Sequence, residues 1–251
     1  MKNHISYEAP TLLLLPGIDG SGKLYAPLLD VLPSNIKVQL APLPEALFTD
    51  HSEIAKHVLA TLSDKRYVIL AESFSGRTAY ELCRLAPKKF VYVVFGASFI
   101  TQPSRLLSFA RFMPLRLLNT TFLAKVLVGG LAMKLLLKNK LTNPFIHNLT
   151  ALPGAFLKNR LRLIHQLPQP NLIMDVPCLI VTAKQDRLVS CQASAAIKRV
   201  FSQHAEQKIR GPHCLVQTRP KHFAKVFLTL YRGLADNPIR TPAKQVFCRT
   251  M

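Results

Sequence analysis

The 251-residue sequence is short of acid: 13 Asp and Glu stand against 33 Lys and Arg, for a formal charge of +20. Between Glu81 and Asp175 there is no acid at all, while those 93 residues hold 13 Lys and Arg. A field of that sign draws anionic partners and speeds encounter with them, but it specifies no fold. Cysteine is sparse too. Cys83, Cys178, Cys191, Cys214 and Cys248 are odd in number and scattered. They form no C-x-x-C pair and no Cys/His cluster at zinc-finger spacing, so they read as reduced thiols, with no disulfide, metal or cofactor expected. No apolar run reaches the roughly 18 residues of a membrane-spanning helix. TLLLL at 11–15 runs into Pro16-Gly17 and is too short for a secretory core. The expectation is a soluble, cytoplasmic protein. Repeats are missing, as are helix-turn-helix, zinc and aromatic-basic signatures. Nucleic-acid binding therefore has bulk charge alone in its favour, and no nucleic-acid partner is expected.

What is present is a core-forming chain, 49% apolar and 18% charged. A chain of this size buries most of its apolar surface without staples. TLLLLPG (11–17) has the continuous apolar character of a strand buried on both faces of a parallel sheet. NIKVQLAPLPE (35–45) reads as a second strand leaving through prolines. HSEIAKHVLATL (51–62) reads as a helix capped by Asp50 or Ser52. Strand RYVILAE (66–72), helix GRTAYELCRLA (76–86) and strand FVYVVFGAS (90–98) follow. This alternation predicts βαβ units around a mostly parallel sheet.

From 99 to about 171 the pattern is helical or loop only, broken by prolines. The sheet rhythm then resumes with strand VPCLIVTAK (176–184), helix CQASAAIKRVF (191–201), short strand AEQKIR (205–210) and helix KHFAKVFLTLYRGL (221–234). The expected organisation is an α/β core over 1–98, an all-helical basic cap over 99–171, and the second part of the core over 172–251. The tail from Ala235 is expected to be loosely held.

The α/β pattern has one abrupt feature. In ILAESFSGRTAYELCRLAP (69–87) an apolar strand stops at Glu72-Ser73 and a helix begins at once. A serine hydroxyl is a poor nucleophile until a base takes its proton, and the base needs an acid to fix its tautomer. All three belong at the C-terminal ends of parallel strands, where loops converge. Ser73 lies at the apex of A-E-S-F-S-G, with small Ala71 and Ser75 where such elbows most often carry glycine. Asp186 in VTAKQDRLVS follows a buried strand. His213 in IRGPHCLVQTRP follows the last short strand, and is preferred to His204 and His222 for its Gly-Pro turn. The glycine-rich loop of LLLLPGIDGSG offers the N–H of Ile18, to pair with that of Phe74 as an oxyanion hole.

Together, LPGIDGSGKLYAPLL, LAESFSG, TAKQDRLV and GPHCLVQTRP resemble the α/β-hydrolase superfamily, in particular small bacterial serine hydrolases with a helical cap. The likeness runs from about residue 10 to 234 and is weakest in the insert. It departs from the family pattern at Pro16-Gly17, where His-Gly is usual, and in the missing elbow glycines. It implies a serine carboxylesterase with catalytic Ser73, Asp186 and His213.

Bland readings exist beside these: a turn serine, a capping aspartate, a loop histidine. Ser75 as nucleophile is disfavoured because Arg77 would take a small-residue slot. Glu72 is expected at the pocket rim, Asp19 as a loop-shaping residue, and Cys83 and Cys214 as core or pocket wall. Tyr25 and Phe99 are expected to line the acyl pocket.

For the basic cap, carrying Arg105, Arg111, Arg116, Lys134, Lys138, Arg160 and Arg162, three readings stand. One is a solvated face. The second is docking of an acidic partner such as acyl carrier protein. Esterases of the pimeloyl-acyl carrier protein methyl ester type, in biotin synthesis, are similar in architecture and use basic cap residues. The third is an anionic membrane surface, suited to a lysophospholipase, for which FLAKVLVGGLAMKLLLKNK (122–140) has the basic-amphipathic look.

Overall fold

The computed structural model describes residues 9–103, 147–148 and 151–236. Six strands form one sheet: β1 (Thr11–Leu15), β2 (Val38–Leu40), β3 (Tyr67–Glu72), β4 (Phe90–Gly96), β5 (Cys178–Ala183) and β6 (His204–Ile209). Their order is β2-β1-β3-β4-β5-β6, and every pairing is parallel. All C-terminal strand ends therefore lie along one edge, the place where side chains from loops distant in sequence can meet.

The helices cover both faces. They are α1 (Ala26–Leu29), α2 (His51–Ala60), α3 (Gly76–Leu85), α4 (Gly154–His165), α5 (Cys191–Val200), α6 (Leu215–Thr218) and α7 (Pro220–Asp236). Strand side chains alternate between two cores, as a period of two requires. Leu13, Leu15, Ile69 and Ala71 pack with Val58 of α2, Ala79 of α3 and Ile197 of α5. Leu12, Leu14, Val68 and Leu70 pack with Leu28 of α1, Val216 of α6 and Phe223 of α7. Each of the four β1 leucines is 0% exposed, and complete burial of such a side chain contributes roughly 1.5–3 kcal/mol. The unbroken TLLLL run is thus the signature of a central strand.

The expected second strand shortens to Val38–Leu40 at the sheet edge. Pro42 and Pro44 beyond it have no N–H to continue a ladder. Asp50 is the cap of α2: its carboxylate accepts from the Glu53 N–H at 2.9 Å, and the Glu53 carboxylate accepts from the Thr49 N–H at 2.7 Å. The first of these bonds satisfies an amide that the first helical turn leaves unpaired, and the second ties the residue before the cap to the helix.

Of the expected cap, α4 is described. Its Leu163 and Ile164 pack on Leu43, Ile54, Phe74 and Phe99, which seats the helix against the loop edge of the sheet. Arg105, Arg111, Arg116, Lys134, Lys138 and the 122–140 amphipathic stretch lie outside the described residues. No described helix is long and apolar enough to cross a membrane.

Candidate active site

Strand β3 delivers Ser73 into a left-handed backbone conformation, φ 48°. A non-glycine residue there is held against a steric preference, so the surroundings must fix it. They do so with three contacts. Ser98 Oγ donates to the Ser73 carbonyl at 2.6 Å. Ser75, fully buried, donates its hydroxyl to the Pro16 carbonyl. Gly76 opens α3 with no room for a side chain: a Cβ there would lie 2.3 Å from Ser98 Oγ and 2.5 Å from the Phe99 carbonyl. Ser75 thus bonds across to the loop after β1, where glycine would be bare, and the elbow tolerates it for that reason.

The structure brings Ser73, Asp186 and His213 together from three strand ends. His213 Nε2 lies 2.8 Å from Ser73 Oγ, and its Nδ1 lies 2.8 Å from Asp186 Oδ2. The other Asp186 oxygen accepts from the N–H groups of Leu188 (2.8 Å) and Val189 (2.9 Å). Burial alone would raise the Asp186 carboxyl, but the His213 charge and hydrogen bond, with the two amides, hold it below the usual carboxylate range. Burial works the other way on His213. There the charge and hydrogen bond of Asp186, with a contribution from Glu72, outweigh it and raise the imidazole above its ordinary value. The competing histidines are placed elsewhere: His204 turns Nδ1 to the Phe201 carbonyl at 2.8 Å, and His222 is exposed.

Ile18 and Phe74, whose amides are the expected oxyanion donors, both line the cavity beside Ser73. In a trans peptide the N–H points opposite to the preceding carbonyl. The Gly17 carbonyl accepts from the Gly20 N–H at 3.0 Å, and the Ser73 carbonyl is held by Ser98. The directions of the Ile18 and Phe74 N–H groups are fixed accordingly.

The loop after β1 is pinned at further carbonyls. Tyr25 Oη donates to Leu15 O at 2.8 Å, and the Arg160 guanidinium donates to Ile18 O at 2.8 Å. Asp19 closes the turn by accepting from the Ser21 N–H (3.1 Å) and hydroxyl (2.6 Å).

These pins correct two expectations. Tyr25 does not line the pocket; it is 0% exposed beneath the loop, and its neighbour Leu24 lines the cavity instead. Arg160 is not a surface docking residue; it is 5% exposed, with its guanidinium against Gly20. Arg162 remains exposed, yet its guanidinium donates to the Phe48 carbonyl at 2.6 Å.

Phe99 lines the cavity beside Ser73, which has a volume of about 70 Å³. Leu161, Ile164, Leu188 and Val189 complete an apolar wall that sequence reasoning did not single out. They come from α4 and the Asp186 loop, and nothing local in the sequence marks them as neighbours. Cys214 also lines the cavity, its thiol pushed up by burial and therefore neutral. Cys83 is core. Among the described residues no cluster of His, Cys, Asp and Glu has the makings of a metal site.

Neither a protein-family model nor a curated protein sequence matches the chain. Solved structures do. The enol-lactonase of Burkholderia xenovorans LB400 is 14% identical, with 90% of this chain and 92% of that one covered and a TM-score of 0.79. A thermophilic esterase of Thermogutta terrifontis is 14% identical over 92% of both chains, at a TM-score of 0.73. A bacterial membrane phospholipase A is 16% identical over 91% of this chain and 80% of that one, at 0.74. At such identities the likeness is one of architecture. The six-stranded parallel sheet, its helical layers and its strand-to-helix elbow are those of the α/β-hydrolase fold.

Proposed function

We propose that the chain is a serine carboxylesterase. The observation that supports this most is the unbroken hydrogen-bond chain from Ser73 Oγ through His213 to Asp186, two contacts of 2.8 Å each. His213 takes the Ser73 proton as Oγ attacks the ester carbonyl, and Asp186 fixes the tautomer and stabilises the imidazolium. The Ile18 and Phe74 amides receive the oxyanion, a contribution of roughly 3 kcal/mol per donor in comparable sites. His213 returns the proton to the leaving alcohol. It then activates water, which releases the acid and restores Ser73. The roles need no metal or cofactor.

The apolar wall around the cavity suits an apolar acyl group. The neighbours named for esterase, lactonase and phospholipase activity fit the same acyl chemistry, although one fold hosts many reactions. Free thiols at the four described cysteines fit a cytoplasmic enzyme.

Within that reaction the substrate we favour is a methyl ester of an acyl chain on acyl carrier protein, as in biotin precursor synthesis. Its support is the acid-free, basic 82–174 stretch, which would attract an acidic carrier. The test compares kcat/KM for a short-chain dicarboxylate methyl ester on the carrier and free, at low and high salt, with Ser73→Ala as control. A large, salt-sensitive preference for the carrier-borne ester is expected. Equal cleavage of both sinks the carrier and leaves a general esterase or, on anionic vesicles, a lipid hydrolase. No Ser73-dependent cleavage of any ester sinks the whole reading.

A further inference from the structure

Besides Ser73 and His213 the cavity is lined by two acidic residues, Glu72 and Asp19, and by no Lys or Arg among the described residues. Glu72 is 7% exposed and immediately precedes Ser73. Its Oε1 accepts from Gln217 Nε2 at 2.8 Å, which links the elbow to α6 behind His213. The Gln217 Oε1 is buried and has no hydrogen-bond partner among the described residues. The groups facing Glu72 are Asp19 from the loop after β1, Tyr25 from the short helical turn before α1, His213 and Cys214 from the loop after β6, and Gln217 from α6. Of these, only His213 can carry a positive charge.

Resting on the esterase reading, we infer that Glu72 is a specificity-determining residue: it makes the pocket reject anionic groups beside the scissile carbonyl, whereas Asp19 has the Arg160 guanidinium as a counter-charge. The substrates taken are esters uncharged on both sides of that carbonyl. The same charge acts on the product. Water adds to the acyl-enzyme, the bond from Ser73 Oγ to the acyl carbon breaks, Oγ regains its proton through His213, and the acid ionises next to Glu72. The carboxylate is then expelled.

The rejection is graded by pH. Burial pushes the Glu72 carboxyl up to about 7 against the hydrogen bond from Gln217, with the Asp19 charge adding to the rise and His213 opposing it. Glu72 is therefore ionised in mild base and neutral in mild acid.

Calorimetric binding of butanoate and its neutral isostere butanamide to Ser73→Ala, with and without Glu72→Gln, tests this without turnover. Near pH 8 the Glu72→Gln background should bind butanoate about tenfold more tightly relative to butanamide, since one like charge is removed from a low-dielectric pocket. Near pH 5.5 that gain should shrink, because the Glu72 carboxyl is then largely neutral and Gln replaces an uncharged group. Glu72→Asp, which keeps the charge, should still reject butanoate. An unchanged butanoate-to-butanamide ratio on Glu72→Gln near pH 8, or no butanoate binding by that variant, overturns the inference. Wild-type hydrolysis of an uncharged butanoate ester is measured alongside. Its absence would sink the esterase reading, and the binding ratio would still report on Glu72.

Discussion

Replacing Arg160 with Met would separate two accounts of the basic insert. The guanidinium donates to Ile18 O at 2.8 Å, and the residue is 5% exposed. A hydrogen bond to a charged group is worth about 1.5–3 kcal/mol, and a buried carbonyl left without its donor costs a similar amount. The expected loss of stability is therefore about 2 kcal/mol, which for a chain this long lowers Tm by roughly 4–8 °C. The consequence for turnover follows from position. Ile18 supplies a proposed oxyanion donor, and complete loss of one such donor costs roughly a hundredfold to a thousandfold in kcat. Tyr25 and Ser75 still pin Leu15 O and Pro16 O, so the loop would be misdirected part of the time. The expected fall in kcat is about 10- to 100-fold on a free, uncharged ester, with KM changing far less. The assay is steady-state kinetics at low and high salt beside a thermal melt. A variant with kcat and Tm unchanged on the free ester, but a salt-sensitive defect on a carrier-borne one, would refute the pinning argument and restore Arg160 as a docking residue.

Gly76→Ala should destabilise by about 1–3 kcal/mol, because the new Cβ meets backbone as well as a side chain and forces a shift. Its site is the Ser98 hydroxyl that holds the Ser73 carbonyl, so a thermal melt and kcat should fall together. The acid limb of kcat/KM should lie above the ordinary histidine value of about 6.5, because His213 must be neutral to act as base and its pKa is raised. Asp186→Asn should move that limb down and cut kcat by about 10⁴, the loss seen when such an imidazole takes the wrong tautomer. The pair also makes stability depend on pH. The raised His213 contributes stability below its unfolded pKa that is lost as pH rises through the folded value. The depressed Asp186 contributes above its unfolded pKa, and this is lost as pH falls through its folded one. In a series of melts across pH, Asp186→Asn should remove the dependence that Asp186 causes and weaken the loss that His213 causes as pH rises, since burial and Glu72 still act on the imidazole.

The centre of the sheet was legible because its strands are buried on both faces. The runs LLLL, YVILA and CLIV are unbroken apolar stretches, and each ends at polar, small or glycine-proline residues. Ser73, Asp186 and His213 were legible because each stands just past such an end, and chain order together with parallel pairing brings those ends to one edge. What could not be read depended on contacts across long stretches of chain. Arg160 looked like any other cation of a basic insert, and only packing of α4 beside Gly20 makes it a pin. Tyr25 and Leu24 are adjacent in sequence, and a helical turn sends one under the loop and the other into the cavity. The bond between Glu72 and Gln217 spans 145 residues and joins two residue types that are ordinarily exposed.

The most direct test of the account is to react the protein with a fluorophosphonate ester and map the adduct by peptide mass spectrometry. The reagent traps a serine only where a base activates it and an oxyanion hole receives the phosphoryl oxygen. The account predicts one adduct, on Ser73, lost in His213→Ala. An adduct on Ser75, or no adduct on the folded wild-type protein, would contradict it.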